Sequence, residues 1–218
     1  MKNYSIIIPI YNERTSIPSL LDKLYPYAKN NQEIIIIDDG STDGTNVILN
    51  KCDFIISIKN DINTGKGSAI RKGLQIASND KIILFDGDME LDPDTINLFM
   101  ILNNKIRNVS GIRYDRFHPY RSVWDFGNYF FSHLFNTKHE TKIYDVLCCA
   151  KAFYKSDIDI SRLKSNRFDI DIELLTALIK NNSIIYTILL PYQRRKKIYG
   201  KKINLWDGWD IIKRIYSQ

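Results

Sequence analysis

The sequence predicts an α/β fold built on a mostly parallel sheet, and three observations carry that prediction. Short Ile-rich runs recur through the first half, segments with helical periodicity separate them, and polar or acidic clusters follow several of the runs. The runs are Tyr4 to Ile10, Glu33 to Ile37, Phe54 to Ile58 and Lys81 to Phe85. Continuous apolar runs this short suit strands buried on both faces. Between them, Ser16 to Lys29, Thr42 to Asn50 and Lys66 to Ala77 read as helices, the last starting after a glycine-containing turn. Strand, helix, strand alternation implies parallel pairing through right-handed crossovers. Asp92-Pro93 offers a cap and a first-turn proline for a further helix ending near Asn104. The second half is less regular. Lys105 to Ile112 and Ser183 to Pro191 read as strands, and Tyr120 to Phe135, Phe168 to Lys180 and Leu205 to Tyr216 as helices. No internal repeat or Pro/Gly/Ser-rich linker interrupts the 218 residues, so one domain is expected, with a soft division near residue 112.

Composition narrows the class. Hydrophobic residues make up 44% and aromatic residues 12%, which excludes a disordered or low-complexity chain. The longest apolar stretches, Ile34 to Ile37 and Ile184 to Leu190, fall short of the ~18 residues of a membrane-crossing helix. Met1-Lys2-Asn3 leads straight into Ser5-Ile6-Ile7-Ile8-Pro9 without a signal-peptide core, so a cytoplasmic location is expected. Cys52, Cys148 and Cys149 form no C-x-x-C pair, which argues for buried thiols over a disulfide framework or a zinc site. A net charge of +6 and a pI near 9.1 favour anionic partners. Arg194 to Lys197 and Lys201-Lys202 place six positive charges within nine residues near the C-terminus.

Ligands of open parallel sheets bind outside the carboxyl ends of the strands, so residues just after the strands are the ones to inspect. Pro9, Tyr11, Asn12 and Glu13 close the first run, Asp38-Asp39-Gly40-Ser41-Thr42-Asp43-Gly44 the second, and Asp86-Gly87-Asp88-Met89-Glu90 the fourth. Each alone reads as a turn with a helix cap. Three acidic clusters on one sheet edge point instead to a metal-assisted site. Alternate residues of an extended segment face one way, so Asp86, Asp88 and Glu90 are expected to converge on Mg²⁺ or Mn²⁺, whose hard character suits carboxylate oxygens. Lys66, flanked by Gly65 and Gly67 at a helix start, offers an ammonium and backbone amides to a phosphate. The sequence has neither a P-loop nor a G-x-G-x-x-G fingerprint, which counts against a nicotinamide enzyme.

Ile8-Pro9-Ile10-Tyr11-Asn12-Glu13, Asp38 to Asp43, Gly65-Lys66-Gly67-Ser68-Ala69 and Asp86 to Glu90, in this order and at these separations, resemble the family 2 glycosyltransferases. The resemblance is greatest to the branch of dolichyl-phosphate mannose synthase and related polyprenyl-phosphate sugar transferases. It implies a GT-A fold, a nucleotide site bordered by Pro9, Tyr11, Asn12, Glu13, Asp38 and Asp39, and a metal surrounded by Asp86, Asp88 and Glu90. Looser similarity runs through Ser110 to Tyr114, Arg121-Ser122, Asp145 to Phe153, Phe168 to Leu174 and Arg195 to Lys202. Arg113, Arg121, Arg195 and Lys202 resemble residues that meet the donor diphosphate or an acceptor phosphate. Three departures stand out. Glu90 replaces a frequent Gln, Cys148-Cys149-Ala150-Lys151 replaces Ser/Cys-Gly-aromatic-Arg, and Gly200-Lys201-Lys202 replaces Gly-x-Ser-Lys.

The expected reaction moves a hexosyl group from a UDP- or GDP-sugar to a polyprenyl (dolichyl-type) phosphate with inversion, residues 1–112 handling the donor and 113–218 the acceptor. A phosphate monoester is largely dianionic near neutrality, its second pKa being about 6, and needs little help from a base. Asp88, Arg113 and Arg121 then act by charge and position. With a sugar hydroxyl as acceptor, Asp169, Asp171 or Glu173 would have to take a proton, Glu173 being the residue chosen here. The segments Tyr120 to Phe131 and Leu205 to Tyr216 combine aromatics with Arg or Lys, as membrane-surface helices do, and predict peripheral association with a membrane face. A nucleic-acid-binding module is disfavoured because no recognition motif accompanies the charge. A nucleotidyltransferase would need a glycine-rich loop where Pro9-Ile10-Tyr11-Asn12-Glu13 stands.

Overall fold

In the computed structural model the four Ile-rich runs fold as parallel strands: β1 (Tyr4–Ile10), β2 (Glu33–Asp38), β3 (Ile56–Lys59) and β4 (Lys81–Leu84). Residues 3–114, 123–181, 184–192 and 205–217 are described. Three further strands, β5 (Asn108–Ile112), β6 (Lys151–Tyr154) and β7 (Tyr186–Leu189), complete a seven-stranded sheet of order β3-β2-β1-β4-β6-β5-β7. β6 runs antiparallel to both β4 and β5, and β7 runs parallel to β5. The helices are α1 (Ile17–Lys29), α2 (Thr45–Leu49), α3 (Lys66–Ile76), α4 (Val123–His139), α5 (Ile170–Asn181) and α6 (Leu205–Tyr216).

Period-two alternation explains why the runs are apolar at successive positions and not only at alternate ones. Ile6, Ile8, Ile34, Ile36 and Ile83 pack on one face with Leu20, Leu24 and Phe99, while Ile7, Ile35, Ile82 and Leu84 pack on the other with Ile70, Leu74 and Leu174. Pro9 is tolerated in a central strand because β1 pairs with β4 only from Tyr4 to Ile7. The Phe85 amide donates to the Ile7 carbonyl on that side, and by Pro9, two residues on, β4 has parted from it, so no ladder donor is missed there.

The sequence-based expectations require four adjustments. The helix expected after Asp92 is a 3₁₀ turn, Pro93–Phe99, with Asp92 accepting from the Asp94 amide. The helix expected from Thr42 starts at Thr45, because left-handed Gly44 precedes it and the Asp43 carboxylate accepts from the Thr45 amide. The strand expected from Lys105 starts at Asn108, since Asn103 turns the chain by accepting from the amides of Lys105 and Ile106. β6 was not expected at all.

α5 lies between two cores. Ile170 and Leu174 face the sheet, whereas Ile172 and Leu175 join Phe135, Val146, Ile211 and Ile215 from α4, α6 and the intervening chain. The carboxylates of Asp171 and Glu173 are consequently buried and must be paired. Among the described residues no helix is long and apolar enough to cross a membrane. Phe126, Tyr129 and Phe130 of α4 and Trp209 and Tyr216 of α6 are exposed.

Candidate functional site

The loops after β1 and β2 interlock at the carboxyl edge of the sheet. The Asn12 amide donates to Ser41 Oγ at 2.8 Å, Asn12 Oδ1 accepts from the Thr42 amide at 2.9 Å, and the Glu13 amide donates to Thr45 Oγ1 at 3.0 Å. Asn12 adopts a left-handed φ of 52°, which asparagine tolerates better than most residues and which turns the chain out of β1. Glu13 is buried and accepts from Ser16 Oγ at 2.6 Å. Tyr11 is half-buried beside it.

Asp38 and Asp39 divide the work. Asp38 Oδ1 accepts from the Ser41 amide at 2.9 Å, and its Oδ2 is buried with no hydrogen-bond partner among the described residues. Asp39 collects the loop before α3: Oδ1 accepts from Asn60 Nδ2 at 2.8 Å, the Thr64 amide at 3.0 Å and Thr64 Oγ1 at 2.9 Å, and Oδ2 from the Gly65 amide at 2.7 Å.

The start of α3 differs from the open phosphate cradle expected there. The amides of Gly67 and Ser68 donate to the Asn166 carbonyl at 2.8 and 3.2 Å, so these two are already satisfied. Gly65 and Gly67 make the approach possible: a Cβ at either would stand 2.3 Å from a backbone oxygen, of Asn166 and Ser165 respectively. The Lys66 ammonium is the charged group that this turn offers to an anion.

Lys66 is the centre of a charge chain that runs inward from the edge. Its Nζ lies 3.2 Å from Asp86 Oδ1 and 3.3 Å from Asp171 Oδ2, under the Phe168 ring at 5.6 Å. Asp171 Oδ1 in turn accepts from Lys151 Nζ at 3.0 Å, and Lys151, fully buried, also donates to the Cys148 carbonyl. Burial works against the Lys66 ammonium, yet Asp171 and Asp86 outweigh it and hold its pKa well above the usual lysine value. Burial likewise opposes the Asp171 carboxylate, but Lys151 and Lys66 prevail and keep its pKa below the usual range.

The expected convergence of Asp86, Asp88 and Glu90 is not what the structure shows. The chain turns after Asp86, Met89 takes a left-handed φ of 61°, and Asp88 Oδ1 accepts from the Glu90 amide at 3.1 Å. Glu90 is drawn aside to accept from Tyr192 Oη at 2.8 Å. Among the described residues no three His, Cys, Asp or Glu side chains are gathered for a metal. Asp86 and Asp88, both partly exposed, remain as hard oxygen donors. One or two carboxylates completed by substrate phosphate oxygens is the usual way a Mg²⁺-type ion is held beside a nucleotide, so this pair fits such an ion.

Arg113, at the end of β5, forms a fork with Asp145, Nε to Oδ2 at 2.7 Å and Nη2 to Oδ1 at 2.8 Å. Asn128 of α4 donates to the same carboxylate at 3.0 Å, and the guanidinium stacks over Tyr192 at 5.5 Å. Burial opposes the Asp145 carboxylate but Arg113 outweighs it, holding its pKa down. Burial pushes the adjacent Cys148 thiol up to about 12, so it stays neutral. Glu173, expected as a base, instead accepts from the Lys164 and Ser165 amides and pairs with Arg214 at 3.1 Å. Arg214 also grips Asp169 at 3.0 Å, and all three α5-region carboxylates are buried and paired. Arg121, Arg195 and Lys202 lie outside the described residues.

Lys151, Asp145 and Tyr192 escaped sequence reasoning as site residues. A signal for the first existed: a lone lysine inside the run Cys148-Cys149-Ala150-Lys151-Ala152-Phe153 must be either exposed or paired, and flanking residues this apolar favour pairing. Tyr192 and Glu90 are 102 residues apart, and nothing local to either announces the other.

Comparison with known proteins follows the same edge. Residues 5–175 match the sequence model of Glycosyl transferase family 2. An undecaprenyl-phosphate 4-deoxy-4-formamido-L-arabinose transferase of Yersinia pestis is 38% identical over 104 residues, covering 44% of this chain and 32% of that protein. The chain thus matches about a third of the length of such curated relatives. Glucosyl-3-phosphoglycerate synthase of Mycobacterium tuberculosis, solved with UDP, superposes with a TM-score of 0.75 at 18% identity, covering 99% of this chain and 79% of that one. The same synthase solved with Mn²⁺, UDP and glucosyl-3-phosphoglycerate gives 0.73 at 18% identity, with the same coverage. The sheet is therefore a GT-A fold. The family match spans β1 through the first half of α5, every described element that builds the edge except β7, and the chain belongs to glycosyl transferase family 2.

Proposed function

We propose that this chain is an inverting glycosyltransferase that moves a hexosyl group from a UDP- or GDP-sugar to a polyprenyl phosphate, dolichyl- or undecaprenyl-type. The observation that carries this reading is the engagement of every acidic side chain around α5. Asp169, Asp171 and Glu173 are each buried and held by a cation, so a hydroxyl acceptor would lack a ready proton acceptor there. A phosphate monoester needs none. Its oxygen attacks the anomeric carbon as the bond to the nucleoside diphosphate breaks, and the leaving group departs with the electron pair. The undecaprenyl-phosphate transferase relatives support the acceptor class.

Pro9, Tyr11, Asn12, Glu13, Asp38 and Asp39 are assigned to the nucleoside, with Asp38 Oδ2, which has no donor among the described residues, as an acceptor for it. Lys66 faces the diphosphate. A divalent ion, Mn²⁺ or Mg²⁺, held by Asp86 and Asp88 with the donor's phosphates would neutralise charge on the departing nucleotide. Arg113, Arg121, Arg195 and Lys202 are assigned to phosphate, Arg113 being braced for that task by Asp145. Residues 1–112 form the donor part and 113–218 the acceptor part of one unit. The exposed aromatics of α4 and α6 support contact with a membrane surface, where a polyprenyl acceptor resides.

The test is incubation with UDP- and GDP-hexoses, Mn²⁺ or Mg²⁺ and polyprenyl phosphates of both types. Acceptor-dependent release of nucleoside diphosphate with formation of a glycosylated lipid phosphate is expected, together with loss of at least ~100-fold in rate for Asp88→Ala. Release that proceeds only with sugar acceptors, or full activity of Asp88→Ala, would overturn the acceptor and metal assignments respectively.

A further inference from the structure

Two lysines and two aspartates form one continuous line, Lys151, Asp171, Lys66 and Asp86, with contacts of 3.0, 3.3 and 3.2 Å, running from the buried Lys151 and Asp171 out to the partly exposed Asp86. Their formal charges cancel. Lys66 is tethered behind by Asp171, covered by Phe168, and carried on a helix start whose flanking glycines are locked against the 165–166 backbone. It has little room to withdraw. A dication arriving at Asp86 on its own would add two positive charges beside an ammonium held 3.2 Å from that carboxylate, and like charges this close repel. A diphosphate reverses the situation, because its oxygens offer Lys66 a new partner and release Asp86.

From this arrangement we infer that Lys66 is a resident counter-ion of Asp86 that makes divalent-cation binding contingent on the nucleoside diphosphate. The inference rests on the donor-site reading above and adds an order to it: the metal enters with the nucleotide or after it. Lys151 and Asp171 are positioning residues in this scheme. Lys151 occupies one oxygen of Asp171, which leaves the other to fix Lys66 at the distance where it reaches Asp86 in the free protein.

Mn²⁺ binding, followed by the electron paramagnetic resonance signal of the free ion, tests this without any turnover. The purified chain is titrated with Mn²⁺ alone, with UDP and with GDP. The wild type is expected to bind Mn²⁺ roughly 100-fold more tightly when the matching nucleotide is present. In Lys66→Met the affinity without nucleotide should rise about tenfold and the enhancement by nucleotide should shrink by a like factor. Lys66→Arg, which keeps the charge, should behave as the wild type. Asp171→Asn, which leaves Lys66 with Asp86 alone, should show no gain. Lys66→Gln carries the same test if Lys66→Met does not fold. Equal Mn²⁺ affinity of the wild type with and without nucleotide, an unchanged enhancement in Lys66→Met, or a gain in Asp171→Asn would each overturn the inference. Absence of Mn²⁺ binding even with both nucleotides would sink the donor-site reading itself, a result distinct from these three.

Discussion

Substituting Gly67 by alanine probes how the donor edge is assembled. A Cβ at residue 67 would stand 2.3 Å from the Ser165 oxygen, 2.8 Å from its carbon and 2.9 Å from the Asn166 carbon. All three are backbone atoms, so no side-chain rotation relieves the overlap. The 165–166 strand of chain must move away, which costs about 1–3 kcal/mol by analogy with forced overpacking. Its movement breaks the hydrogen bonds from the Gly67 and Ser68 amides to Asn166, worth about 0.5–1.5 kcal/mol each. Together these give roughly 2–6 kcal/mol, or a fall in Tm on the order of 10 °C for a chain of this size. Thermal unfolding by circular dichroism reads it directly, and UDP affinity should fall in parallel because Lys66 shares the displaced turn. Gly127→Ala is the control. Its Cβ would meet nothing nearer than Phe131 at 4.0 Å, and removing a helix-interior glycine should raise stability by about 0.5–1 kcal/mol. An unchanged Tm in Gly67→Ala would refute the close packing of α3 against residues 165–166 as the reason for the glycine.

Three further outcomes follow from the buried charges. Asp145→Ala strips the fork from Arg113 and should destabilise the fold by about 3–5 kcal/mol in denaturant unfolding, whereas a loss below about 1 kcal/mol would show that the pair is not desolvated. Arg214→Ala leaves Asp169 and Glu173 buried without their cation, so amide exchange along α6 should quicken markedly, and unchanged protection would show that the apolar contacts of Ile211 and Ile215 alone hold that helix. Asp145 and Asp171 have folded-state pKa values below their unfolded ones, so their contribution is complete above about pH 4 and is lost as pH falls through the folded values. Stability measured from pH 6 downward should therefore decline in the acid limb, and Asp145→Asn should flatten that limb. A limb of equal slope in the variant would contradict the assignment.

Where the sequence could be read correctly, the physics was local. β1 and β2 announce themselves because both of their faces are buried and consecutive positions, Ile6 to Ile8 and Ile34 to Ile37, are apolar. The acidic turns after them are legible because strand ends of a parallel sheet collect ligands. β6 was missed because it has four residues and carries a lysine at its start, a pattern that no strand rule favours. The reason for that lysine, Asp171 at 3.0 Å, belongs to a helix 20 residues later in the chain. Asp86, Asp88 and Glu90 were expected to align as an extended segment, and the left-handed Met89 prevents it. Neither Asp169 nor Glu173 shows from its neighbours that Arg214 will neutralise it, so carboxylates that suggest a base are instead a buried latch.

The central claim is that the carboxyl edge of β1, β2 and β4 holds a nucleotide sugar. A crystal structure of the chain with Mn²⁺ and the nucleotide sugar that it consumes tests this most directly. The nucleoside is expected between the loops at residues 9–13 and 38–44, with the diphosphate within hydrogen-bonding distance of Lys66 Nζ and the ion beside Asp86 and Asp88. Density for the nucleotide on any other face of the sheet, or a diphosphate remote from both Lys66 and Asp88, would contradict it.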